Sequence, residues 1–190
     1  MSGDDRLTWL RVPEERELPP EIIELWQPSI EKLGFVPNVL RLYALRPTRL
    51  IAWNAHYEEA MKGDSALTKA EREAIAVVVS VTNDCAYCIA AHSAALRKLT
   101  KDPALADQIA TDYTRADISD RMTRALDYAV KLTRAPASMS EADVQLLRDS
   151  GWDDEDVMDI AEVTALFNFS NRMASGLGWT PNPEYENLGR

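Results

Sequence analysis

Two cysteines, two histidines and seven glycines are all that this chain of 190 residues carries of three residue types that mark thiol chemistry, metal binding and tight turns. Cysteine this sparse excludes a disulfide-stapled scaffold. Cationic residues are also short, with 21 Lys and Arg against 31 Asp and Glu, a net charge of -10 and a pI near 4.7. That balance argues against nucleic acid, whose phosphates need clustered Lys and Arg, and against anionic membranes. Long apolar runs are missing too. The longest, Ala74 to Val79, falls far short of the roughly 20 residues that span a bilayer. The N-terminal stretch MSGDDRLTWLRVPEERELPP is charged and proline-rich and lacks the apolar core of a signal peptide, so the expected location is the cytoplasm.

Hydrophobic residues are plentiful at 46 %, enough for a sizeable core, and residues 1–190 read as a single domain. The signals are helical. Pro19 and Pro20 lead into a helix start at Glu21, Pro28 is expected to interrupt it, and Gly34 with Pro37 closes the region. Pro47 opens a segment that Gly63 ends. Thr68 and Glu71 have capping-box spacing, and that cap assigns the β-branched run Ile75 to Val81 to a buried helix rather than a strand. Asn83 or Asp84 is expected to cap the next helix, to about Lys98. Further starts fall at Asp102-Pro103, Ser119, Ser140 and Asp153, and no strand-turn-strand pattern appears. The expected fold class is all-α. A weak internal repeat sets Ala74 to Asn83 against Asp159 to Asn168, which makes Ser170 and Met173 the counterparts of Cys85 and Cys88. The second copy spans about residues 136–178, each Asn being followed by a new helical run. Residues 179–190 read as an extended tail, a candidate to pack on a neighbouring subunit.

Both cysteines fall in TNDCAYCIAAH, residues 82–92. In a helix beginning near Asp84 they are i and i+3, close enough for a disulfide, and His92 is i+4 from Cys88. Cys85 and His92 are seven apart, about 10 Å along a helix at 1.5 Å per residue. His92 is therefore expected to serve Cys88, as its base or as partner of its thiolate, and not Cys85. Cys85 then attacks the oxidised Cys88 to form a disulfide. The helix macrodipole pulls the other way, favouring a thiolate at Cys85. A histidine base needs an acid behind it. Glu73, at the edge of the apolar run, fits if the two helices form a hairpin about Asn83; Glu71 is committed to its cap. Tyr87, Glu71 and His56 are candidate supporting residues, although His56, between Trp53 and Tyr57, reads first as structural or interfacial. Asn168, Asn171 and Arg172 are candidates to hold helix ends or bridge subunits.

The pattern Glu73, Cys85-Ala-Tyr-Cys88, His92 resembles the alkylhydroperoxidase AhpD-like group of the carboxymuconolactone decarboxylase family, in its peroxidase-related members. LTKAEREAIAVVVSVTNDCAYCIAAH and ALFNFSNRMASGLG carry the likeness, with the family core at about 47–135. The resemblance implies an AhpD-like all-α fold of orthogonal helical hairpin repeats, two pseudo-repeats in one domain, assembled as a homo-oligomer. It implies that Cys88 attacks a hydroperoxide, Cys85 resolves it, and His92 and Glu73 relay the proton. A dithiol donor, a lipoyl-protein or thioredoxin-like system, then reduces the disulfide. Position 87 is Tyr where the founding enzyme has a second histidine, and Tyr is no base at neutral pH.

Three other readings stand beside this one. The cysteines are two small buried hydrophobes, or His92 and Glu73 do acid–base work on a lactone or carbonyl compound, or the pair makes a non-enzymatic redox-responsive protein. No cofactor is expected. A metal centre is disfavoured because no second CxxC or HxxxH supplies further ligands.

Overall fold

The computed structural model describes residues 6–190; the first five residues of the charged N-terminal stretch lie outside it. Nine α-helices are found among the described residues, with no strand: α1 Pro20–Leu33, α2 Asn38–Tyr43, α3 Pro47–Lys62, α4 Lys69–Thr82, α5 Ala86–Thr100, α6 Pro103–Asp112, α7 Asp120–Arg134, α8 Glu141–Asp149 and α9 Asp154–Leu177. None is long and apolar enough to cross a membrane. The all-α expectation holds.

α4 is the axis of the molecule, packed against α5, α7 and α9. Every residue from Arg72 to Ser80 is buried. Ile75, Val77, Val78 and Val79 each give up a few tenths of a kcal/mol in helix propensity, whereas burying such a side chain returns about 1.5–3 kcal/mol. Tertiary burial therefore decides, and the Thr68–Glu71 capping box starts the helix as expected. Arg72 is tolerated in this core because its guanidinium donates to the carbonyls of Leu67, Ala60 and Gly63. The caps at Asp102, Ser119, Ser140 and Asp153 also stand where the sequence put them.

Four details differ from the sequence reading. Pro28 does not interrupt α1: it sits inside the helix on the exposed face, where the Glu24 carbonyl it leaves unpaired belongs to another exposed residue. The short α2 has no periodic signature long enough to announce it. α9 is the one long helix between Asp153 and Gly178 that its caps predict, and it departs only from the repeat alignment, which puts a new helical run after Asn168. Residues 179–190, expected as an extended tail, fold back on their own chain through a 3-10 turn at Pro183–Glu186. The Asn38 backbone N–H donates to Asn182 Oδ1 at 2.6 Å, and the buried Arg97 donates to the Tyr185 and Leu188 carbonyls.

The N-terminal segment meets the end of α9. Trp9 N–H donates to the Leu177 carbonyl and Thr180 N–H to the Leu7 carbonyl, both at 3.0 Å. Gly178, at φ 63°, closes α9 and lies so tightly under the Trp9 indole that a Cβ there would collide with it. This clasp lies over a small apolar cluster in which Leu42, Trp179 and Ala174 surround Cys85, Tyr87 and Cys88, with Leu7, Val12 and Leu177 packed outside.

Candidate active site

The ending of α4 places the cysteines. Asp84 takes the left-handed conformation at φ 53°, its N–H donates to the Val81 carbonyl at 3.0 Å, and the Cys85 N–H donates to the Ser80 carbonyl at 2.9 Å. These bonds form a Schellman closure with Asp84 where glycine usually stands. Cys85 comes out of that closure in extended backbone and is at once the N-cap of α5. The expected cap at Asn83 or Asp84 is thus moved to Cys85 itself. Cys88 follows at the third helical position, so both sulfurs sit over the N-terminus of α5.

The hairpin brings the acid to the base. Glu73 Oε2 lies 2.7 Å from His92 Nδ1 across the α4–α5 contact, with Glu73 only 7 % exposed. A carboxylate on Nδ1 holds the proton there and leaves Nε2 as the acceptor. The His92 ring is set edge-to-face on Phe167, centroids 4.4 Å apart. Glu71 stays on the surface in its capping box, as expected.

Cys85 and Cys88 are 1 % and 3 % exposed and carry free thiols. The hydrogen bond from the Cys88 thiol is the largest influence on Cys85 and brings its pKa down to about 6, with further help from the Cys88 backbone N–H, Ser175 and the charge of His92. The same shared proton, together with burial, pushes Cys88 up. The two titrate as a unit, with the first charge on Cys85. Cys85 is the N-cap of α5, and the helix N-terminus favours its thiolate. Asn171 pulls the other way by a hydrogen bond that favours a Cys88 thiolate.

Tyr87 is a strut rather than a relay. Its hydroxyl accepts from the Val39 N–H at 2.8 Å and bonds to Tyr185 of the folded-back tail, while its ring meets Trp179 edge-on. His56 lies apart, half exposed and 3.6 Å from Glu162 of α9. Asn168, Asn171 and Arg172 join Asn83 in one hydrogen-bonded row beside the thiols, a role that their spacing in the sequence does not announce. A cavity of about 320 Å³ opens between α5 and the tail, lined by Ala90, Arg97, Asn182 and Tyr185, rather than over the sulfurs. Among the described residues no group of three or more His, Cys, Asp or Glu is placed to hold a metal ion.

The family model for the carboxymuconolactone decarboxylase family matches residues 47–135. The chain is similar to the alkylhydroperoxidase AhpD core of an uncharacterized peroxidase-related protein from Ralstonia eutropha, at 43 % identity over 97 % of each chain with a TM-score of 0.94. A peroxidase-related protein from Silicibacter sp. is similar at 44 % identity over the whole of both chains, TM-score 0.95. The debrominase Bmp8, solved with 2,3,4-tribromopyrrole, is 18 % identical over 94 % of this chain and 95 % of its own, TM-score 0.81, and shares the fold. No curated protein matches the chain.

Proposed function

The chain belongs to the carboxymuconolactone decarboxylase family, among its AhpD-like, peroxidase-related members, and from that premise we propose that it is a thiol-dependent hydroperoxidase. The observation that carries the reading is the Glu73–His92 pair, 2.7 Å apart and buried beside two free thiols at one helix N-terminus. A paired imidazole supplies protons where they are consumed, and a shared thiol proton supplies a thiolate near neutral pH.

In this reading Cys88 passes its thiol proton to His92, and the thiolate so formed attacks the distal oxygen of a hydroperoxide. The O–O bond breaks, His92 gives its proton to the departing alkoxide, and Cys88 becomes a sulfenic acid. The Cys85 thiolate attacks that sulfur, a proton joins the leaving hydroxide to make water, and a Cys85–Cys88 disulfide results. Over the cycle two thiols and one hydroperoxide give a disulfide, an alcohol and water. The low pKa of Cys85 suits the resolving role, because its thiolate is ready when the sulfenic acid forms. A dithiol donor, lipoyl-protein or thioredoxin-like, then restores the thiols. Both sulfurs are shut under the clasp, so peroxide and reductant reach them when that cover moves. Assembly as a homo-oligomer in the cytoplasm belongs to the same proposal; Met158 and Phe169, exposed on one face of α9, offer apolar surface for it.

Hydroperoxide-dependent oxidation of dihydrolipoamide by the wild type and by Cys88→Ser tests the reading. Turnover that Cys88→Ser abolishes, with a Cys85–Cys88 disulfide seen by mass spectrometry after peroxide, is the expected result. Peroxide treatment that leaves both thiols free would overturn it. The intact Glu73–His92 pair favours one alternative, acid–base chemistry on a lactone or carbonyl compound, and that reading requires activity to survive Cys88→Ser.

A further inference from the structure

A row of side-chain amides runs inward from an arginine on the surface towards the cysteine pair. Asn168 Oδ1 lies 2.8 Å from Arg172 Nη1, which can only donate, and Asn168 Nδ2 lies 3.0 Å from the Thr164 carbonyl, which can only accept. The Asn168 amide therefore has one orientation. Its oxygen faces Asn83 at 3.1 Å, so Asn83 must present Nδ2, and that nitrogen gives its other proton to Asn171 Oδ1 at 2.9 Å. With its oxygen spent on Asn83, Asn171 turns its own Nδ2 inward, 3.0 Å from Ser80 Oγ. Ser80 accepts there because its hydroxyl proton goes to the Ala76 carbonyl at 2.7 Å.

Asn171 is 1 % exposed, and its second amide proton has no oxygen acceptor among the described residues. Ala174, one turn along α9, packs in the same cluster as both cysteines, and the Ser80 carbonyl takes the Cys85 N–H. A hydrogen bond from Asn171 favours charge on the Cys88 sulfur.

We propose that Asn171 is a positioning residue for Cys88, oriented through Arg172, Asn168 and Asn83 so that its amide proton meets the Cys88 sulfur and stabilises the anion there. The row gives the fold a way to favour Cys88 as attacking thiol although the resting charge lies on Cys85. Its catalytic meaning rests on the hydroperoxidase reading; its effect on the thiol does not.

The test is the pH dependence of Cys88 alkylation by iodoacetamide in a Cys85→Ser background, with folding checked by thermal melting. Asn171→Leu is expected to raise the midpoint by about one pH unit, the scale of a lost hydrogen bond to an anion. Arg172→Leu, at an exposed residue, is expected to raise it less, and Arg172→Lys, still only a donor, to leave it in place. An unchanged midpoint in folded Asn171→Leu overturns the proposal. If that variant does not fold, the Arg172 pair decides, and no difference between Leu and Lys overturns it. Dihydrolipoamide oxidation separates the two claims. Shifted midpoints without wild-type turnover sink the peroxidase reading alone, and turnover with unshifted midpoints sinks the role of Asn171 alone.

Discussion

Asn83 and Asn168 hold matching places in the two segments of the weak repeat and hydrogen-bond each other, yet a helix ends at one and passes straight through the other. The difference lies one residue on. Asp84 tolerates the left-handed backbone that closes α4, whereas the residue after Asn168 is Phe169, which tolerates it poorly. Asn168 also ties its own amide back to the Thr164 carbonyl four residues earlier, within an intact helix. One tolerated residue thus separates a helix terminus with unsatisfied N–H groups, where thiols gain acidity, from a helix interior that has none to offer.

The comparison can be broken in steps of decreasing size. Glu73→Gln removes the acid behind His92, and peroxide turnover is expected to fall about a hundredfold, the scale of lost acid–base assistance. Turnover within a few-fold of wild type would mean that the hairpin does not serve a proton relay. Asp84→Val puts a β-branched residue in the left-handed position and is expected to cost about 1–2 kcal/mol in urea unfolding, while Asp84→Gly stays near the wild type or above it. Equal stabilities would show that the closure carries no strain. The smallest effect is expected on the other side. Ser170→Cys with Met173→Cys, in a chain lacking the native thiols, places two cysteines inside α9. They are expected to alkylate with an ordinary thiol midpoint of about 8.5. In the native pair Cys85 is lowered to about 6, and because the thiolate reacts, its alkylation rises with pH through that region and then levels off. Reactivity at 170 and 173 equal to the native pair would show that position at a helix end is not what matters.

Much of the frame was legible because helix ends are written in single residues. Thr68 with Glu71, Asp102, Ser119, Ser140 and Asp153 each declare a start, and the first of them was enough to read a valine run as a helix. The pairing of Glu73 with His92 was legible because, of the two acids a hairpin about Asn83 offers, Glu71 is held by its capping box and Glu73 stands at the edge of the apolar run. Other features depend on partners distant in the chain. Pro28 survives because its face of α1 meets no neighbour, which α1 alone does not reveal. The tail folds back because Asn38, Val36 and Arg97 receive it, about 90 to 150 residues upstream. Cys85 as cap rather than helical residue depends on the backbone angle of Asp84. The asparagine row joins Asn83 to Asn168 and Asn171, 85 and 88 residues further along the chain, and nothing in the sequence says that these helix faces meet.

The clasp also fixes an order in time. A ribosome makes Cys85 and Cys88 long before Trp179, so the thiols leave it without the residues that will cover them. At typical rates of synthesis the interval is on the order of ten seconds. The oxidation chemistry of the nascent chain is therefore that of an open helix terminus, and the protected pair exists only once the C-terminal segment has been released and has found Leu7 and Trp9.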